Sequence, residues 1–234
     1  TGSWQYVGRS VSMIARAEYD FNEKYLASVT VRRDGSTSFG ENNKFGIFPS
    51  ASLGWVASNE DFFNSKAINF LKLRASYGTL GNLAGGDLYR ALLSGEGTYV
   101  FDNSLTYGTA LGPLPNEVAS WETAEKFDIG LDSQLFDNKL EIVADYFIED
   151  RVDLLIPGLP FSGILGSNAP GSGSPVVNAG TTRTKGFELM LNYADDINDN
   201  LSYRVGYNVT QLEGEVISIN SDVALEGGSF GVGQ

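Results

Sequence analysis

The chain has 234 residues, neither Cys nor His, and a net charge of −13. Disulfide scaffolds, thiolate metal sites, Cys nucleophiles and imidazole bases are therefore excluded, and acidic residues spread along the chain leave no electrostatic footprint for nucleic acid. The 11 Tyr, 14 Phe and 28 Gly favour strands and turns. No apolar run reaches the ~18 residues of a membrane helix. The nearest, LLIPGLPFSGIL at 154–165, is broken by two prolines and two glycines, so only a span built of strands stays open.

Period-two alternation predicts eight strands in an all-β chain. In 10–20, Val11, Met13, Ala15, Ala17 and Tyr19 oppose Ser12, Arg16, Glu18 and Asp20, with Ile14 out of pattern. In 25–33, Tyr25, Ala27, Val29 and Val31 oppose Ser28, Thr30 and Arg32; in 48–57, Ala51, Leu53, Trp55 and Ala57 oppose Ser50, Ser52 and Gly54. The cleanest stretch is 71–79, with Leu71, Leu73, Ala75 and Tyr77 against Lys72, Arg74, Ser76 and Gly78. As a helix it would scatter charge around every face. Residues 121–135 set Phe127, Ile129, Leu131 and Leu135 against Lys126, Asp128, Gly130 and Asp132. Residues 140–150 set Leu140, Ile142, Ala144, Tyr146 and Ile148 against Glu141, Asp145 and Glu149, with Val143 and Phe147 blurring the polar side. The last two are 183–193, with Phe187, Leu189, Leu191 and Tyr193 against Glu188 and Asn192, and 201–212, with Tyr203, Val205, Tyr207 and Val209 against Arg204, Asn208 and Thr210.

The connections alternate in length. FNEK at 21–24, 58–70, FDNK at 136–139 and ADDINDN at 194–200 are short, whereas 34–47, 80–120 and 151–182 are long. In an antiparallel up-and-down meander, successive connections fall at opposite ends, so short turns share one rim and long loops the other. Residues 58–70 predict one helical turn capped by Ser58 or Asn59. A strand of ~11 residues at ~3.3 Å per residue, tilted ~45°, spans ~25 Å, the height of an outer-membrane barrel's apolar band. Tyr19, Phe21, Tyr25, Trp55, Tyr77, Phe136, Tyr193 and Tyr203 suit its interfacial girdles. The alternative is a soluble β-sandwich, as in a secreted carbohydrate-active enzyme or binding module. Strands well above the usual ~5–6 residues, ionisable groups on one face of strand after strand, and the loop asymmetry favour the barrel.

In this order, RRDGSTSFGENNKFGIFPSASLGW, LKLRASYGTLGN, WETAEKFDIGLDSQLFDNKLEIVADYF, DLLIPGLPFSG and NAGTTRTKGFELMLNY closely resemble the C-terminal half of the barrel of SusC/RagA-type TonB-linked outer-membrane proteins, over about residues 10–220. The resemblance implies part of a transmembrane barrel with 22 strands in the family, about eight of them here. It also implies a plug domain, a SusD-like surface lipoprotein as lid, and import of oligosaccharides or peptides driven through TonB. Residues 1–234 read as one partial barrel region, without plug, TonB-binding segment, signal peptide or final strands. No cofactor, metal or catalytic residue is expected.

The polar face expected to line the lumen carries Arg16, Arg32, Lys72, Arg74, Lys126, Asp128, Asp132, Glu141, Asp145, Glu149, Glu188 and Arg204. This set would crowd the interior of a closed eight-stranded barrel, so an open curved sheet completed by other strands fits better. In the long loop at 80–120, Tyr89, Tyr99, Phe101 and Tyr107 stand among Asn and Asp, where aromatic faces beside polar groups suit a sugar ring or a peptide side chain. The bland reading is that these rings pin the loop or meet the lipoprotein. Trp121 reads as an interface anchor. DDINDN at 195–200 lacks the Gly and terminal Glu of a calcium loop and reads as a solvated turn. Glu141, Asp145 and Glu149 stand ~13 Å apart along one strand, too far for paired glycosidase carboxylates.

Overall fold

The computed structural model describes residues 7–83, 88–89, 93–95, 98–157 and 173–219. The strands are β1 (Ser10–Phe21), β2 (Tyr25–Ser36), β3 (Phe45–Val56), β4 (Ile68–Asn82), β5 (Leu93–Ser94), β6 (Thr98–Phe101), β7 (Ser104–Tyr107), β8 (Ala110–Leu111), β9 (Glu122–Leu135), β10 (Leu140–Ile156), β11 (Val177–Asn198) and β12 (Leu201–Ile219). Tight turns close the short-turn rim. Asn22 and Glu23 take φ of 56° and 55° between β1 and β2, and Phe136, Asp137 and Asn138 are left-handed between β9 and β10. Positive φ matches the right-handed twist of the flanking strands, and Asn and Asp tolerate it best after Gly.

Eight strands form one antiparallel sheet in the order β1-β2-β3-β4-β9-β10-β11-β12, and β5–β8 and β6–β7 form two small ladders inside the long 83–121 connection. All eight expected strands are present, and most run farther toward the long loops than their alternation. The expected 183–193 is the centre of a 22-residue β11, and 140–150 continues to Ile156 past register shifts beside Asp153, whose φ is 56°. At ~3.3 Å per residue and ~45° tilt, β11 rises ~50 Å, twice the apolar band, so its upper half stands clear of any bilayer. The run at 154–165 is described only to Pro157, where it ends β10, and the terminal GGSFGVGQ lies outside the described residues.

No sandwich core exists among the described residues. Leu73 and Leu131 are cross-strand neighbours within the sheet, and Leu73 is 39% exposed rather than shared between two layers. That removes the β-sandwich alternative. The buried cluster sits instead beyond the sheet's long-loop end, where Phe39, Leu88 and Ala119 pack with Trp121, Leu155 and Val176. Trp121 is thus no lipid-interface anchor: its ring lies 5.0 Å from Phe39 and 5.7 Å from Phe48, because three long connections converge on it. The expected cap at 58–70 also differs. A 3-10 turn forms earlier, at Ala57–Asn59, follows Val56, and has no side-chain cap.

Candidate functional site

Register decides which residues share a face. Reading across the sheet, Leu26, Gly54, Arg74, Gly130, Asp145, Glu188 and Thr210 form one cross-strand row, and Ser28, Ser52, Ser76, Asp128, Phe147 and Gly186 form the next. Extending these pairs puts Arg16, Arg32, Lys72, Arg74, Lys126, Asp128, Asp132, Glu141, Asp145, Glu149, Glu188 and Arg204 all on the same face, together with the out-of-pattern Ile14, Val143 and Phe147. The opposite face carries exposed Val29, Leu53, Phe127, Ile129, Phe187, Val205 and Tyr207.

Arg74 is the hub of the polar face. Its guanidinium contacts Asp145 at 2.7 Å, Asp132 at 3.1 Å and Asp128 at 3.5 Å, and Lys72 adds a 3.8 Å contact to Asp132. To reach Asp145 on β10, Arg74 of β4 must cross β9. It does so over Gly130, where a Cβ would stand 2.6 Å from the guanidinium carbon and collide with the Asp145 carboxylate. Beside the hub, Ser28, Ser52 and Ser76 floor a trough of about 560 Å³ walled by Arg16, Lys72, Arg74 and Asp128. Ser28 and Ser52 hydroxyls lie 2.8 Å apart. The trough suits a polar solute or a polar protein surface. The carboxylates of the hub are held in ion pairs, and among the described residues no group of three or more Asp or Glu could hold a metal.

At the short-turn rim, Glu60 accepts hydrogen bonds from Tyr25 Oη at 2.5 Å, Trp55 Nε1 at 3.1 Å and Lys24 Nζ at 3.2 Å. These bonds, led by Tyr25, hold the Glu60 carboxyl below its ordinary range, and the bond to Glu60 raises Lys24. The connection at 57–67 is thereby tied to the ends of β2 and β3.

At the opposite rim the long connections are stapled to one another. Asn43 Nδ2 donates to the carbonyls of Val118 and Ala119, Asn116 Nδ2 to that of Val176, and Asn178 exchanges bonds with the Ser120 backbone. From this cap the β6–β7 hairpin projects, turning at Asp102 and Asn103 with φ of 46° and 61°. It carries three of the four expected ligand-contacting rings. Tyr99 and Phe101 lie on one face with ring centroids 4.7 Å apart and planes tilted by 52°, while the 99↔106 and 98↔107 pairing turns Tyr107 to the other, with Val100 and Leu105. Tyr99, Phe101 and Tyr107 are 66%, 62% and 72% exposed. Tyr89 lies outside the hairpin, half-buried, next in sequence to the cap residue Leu88. The hairpin has a local signal, TYVF and SLTY around Asp102–Asn103, that the reading of 80–120 as one loop passes over.

A single-layer meander, apolar on one face and ionic on the other, with its elaborated connections on one rim, defines the wall of a large β-barrel. The chain belongs to the TonB dependent receptor-like, beta-barrel family, whose profile matches residues 3–231. It is similar to TonB-dependent receptor P3 of Formosa agariphila, at 33% identity over 213 residues, covering 89% of this chain and 20% of that protein. It is also similar to TonB-dependent receptor SusC of Bacteroides thetaiotaomicron, at 27% identity over 235 residues, covering 93% of this chain and 22% of that protein. The solved RagAB peptide transporter matches with a TM-score of 0.79 and 26% identity over 91% of this chain and 23% of its own. The chain thus spans about a fifth of the length of the curated relatives it matches.

Proposed function

We propose that this chain is a wall segment of a SusC/RagA-type, TonB-dependent outer-membrane transporter that imports oligosaccharides or peptides beneath a SusD-like surface lipoprotein. The observation that carries this reading is the likeness to the RagAB peptide transporter, at a TM-score of 0.79 over nearly the whole chain. In this reading the apolar face meets outer-membrane lipid and the Arg74 face lines the lumen. The long-loop rim lies outside the cell, and TonB is engaged by another part of the protein. In this reading the whole receptor is a transporter rather than an enzyme, and the segment contributes part of its wall. The β6–β7 hairpin, apolar on both faces and too small to be stable alone, meets either the lid or the substrate. Replacing residues 98–107 with a short Gly-Ser linker in the whole receptor leaves the barrel folded and lowers uptake. Co-purification of the lipoprotein tells lost docking from lost substrate contact. Unchanged uptake removes the hairpin from the mechanism.

A further inference from the structure

The apolar faces of β1 to β4 carry a single charged side chain among the described residues, and it is Arg33. Its cross-strand neighbours are Met13 and Ile47, each 65% exposed. On the opposite face the adjacent Arg32 is paired with Asp34, whereas Arg33 makes no ion pair among the described residues. Its guanidinium rests instead over the ring of Phe45, 4.2 Å from the centroid. Phe45 pairs with Gly35, two residues nearer the long-loop rim, so the side chain leans outward along the strand toward that rim. Gly35 makes this possible, because a Cβ there would meet the Phe45 ring at 2.5 Å and displace it.

Height places the guanidinium. From the girdle residue Tyr25 to Arg33 is eight steps along β2, or ~26 Å, and ~19 Å at a ~45° tilt. The rest of a ~25 Å band is within the reach of an extended Arg side chain, the usual way such a residue brings its charge to an interface. With one face covered by the ring, the N–H donors at the guanidinium edge remain, and their planar fork matches phosphate oxygens. Beneath them, Met13, Val31 and Ile47 are exposed and apolar, so a free anion would leave them uncovered. A headgroup phosphate that continues into acyl chains covers both.

We propose that Arg33, set by Phe45, holds the phosphate of a lipid headgroup in the outer leaflet, fixing one lipid against the wall formed by β1 to β3. The proposal rests on the reading that the apolar face meets lipid. It is tested by native mass spectrometry of the whole receptor, delipidated in detergent and titrated with dimyristoyl phosphatidylglycerol or with phosphate-free dimyristoylglycerol. Arg33→Gln should bind the phospholipid about tenfold more weakly, with retention of dimyristoylglycerol unchanged. Arg33→Lys should recover part of the loss, and Phe45→Leu should lose part of it. Millimolar inorganic phosphate should not displace the lipid. Equal phospholipid binding by wild type and Arg33→Gln, both showing normal heat-modifiable mobility, overturns the proposal, as does displacement by inorganic phosphate. Recovery of the wild-type receptor from the soluble fraction without detergent would instead sink the membrane reading on which it rests.

Discussion

Gly130 matters for what it lacks. Arg74 crosses β9 only because nothing projects from that position, so the links from Arg74 to Asp128, Asp132 and Asp145 form one arrangement across three strands. Gly130→Val keeps strand propensity but drives a branched side chain into the guanidinium. Overpacking of this kind costs ~1–3 kcal/mol, and the receptor should denature at lower temperature in a heat-modifiability series, whereas Gly54→Ala, whose new methyl would meet nothing nearer than Lys72 Cε at 3.3 Å, should change little. Glu60 gives a pH-dependent counterpart. Its folded pKa is depressed, so its contribution is complete above the unfolded carboxylate's ~4.3 and is lost as pH falls through the lower folded value. Trp55 fluorescence, reporting release of the 57–67 connection, should therefore change below about pH 4.3, and Glu60→Gln should hold the connection less firmly at neutral pH with that acid transition removed. A transition unchanged in Glu60→Gln would assign it to another group.

At the scale of the strand, the sequence is most legible where one face meets an apolar medium, because the period of two is then enforced residue by residue. In β4, Leu71 to Tyr77 alternate without fault, and the expected bounds fall short only by the ends. In β11, VNAGTT at 177–182 has no alternation to read, since both faces there leave the apolar band while the backbone ladder continues. The cap core of Phe39, Leu88 and Trp121 was beyond reach for another reason: its members come from separate long connections and carry no local period. The polar set was legible by parity alone, but Gly130's role depends on a three-strand register that no single segment encodes. The facing can be tested with a matched pair. Leu131→Arg puts a cation among Leu73 and Ala144 on the apolar face, at a cost of ~2–4 kcal/mol near mid-bilayer. Ser76→Arg puts it opposite Asp128 on the polar face. The first should lower assembly into the membrane fraction and the second should not; equal yields would refute the face assignment, and a loss confined to Ser76→Arg would reverse it.

Across the whole molecule, two facts govern what the eight-stranded sheet can do by itself. Its outer strands are β1 and β12, and neither is paired on its outer side among the described residues. Its polar face also carries the Arg74 network, Arg16, Arg32, Lys126, Glu149 and Glu188, side chains too long to fold into the narrow interior that eight strands would enclose. Left open in a bilayer, both edges would expose rows of N–H and C=O groups to hydrocarbon, where each unsatisfied group costs several kcal/mol. Closing on itself would satisfy the edges but compress the charges. The lower-energy outcome is pairing with further strands, from the rest of a receptor or from other copies. Residues 1–234, refolded into detergent alone, should therefore form edge-paired oligomers by light scattering. They should show β-rich circular dichroism but no discrete heat-modifiable monomer, whereas the whole receptor gives one. Cysteines placed singly at Ala15 and Tyr207 should crosslink between chains. A monomer in which the double variant crosslinks within one chain would show that the sheet closes, and that its ionic face fits inside eight strands after all.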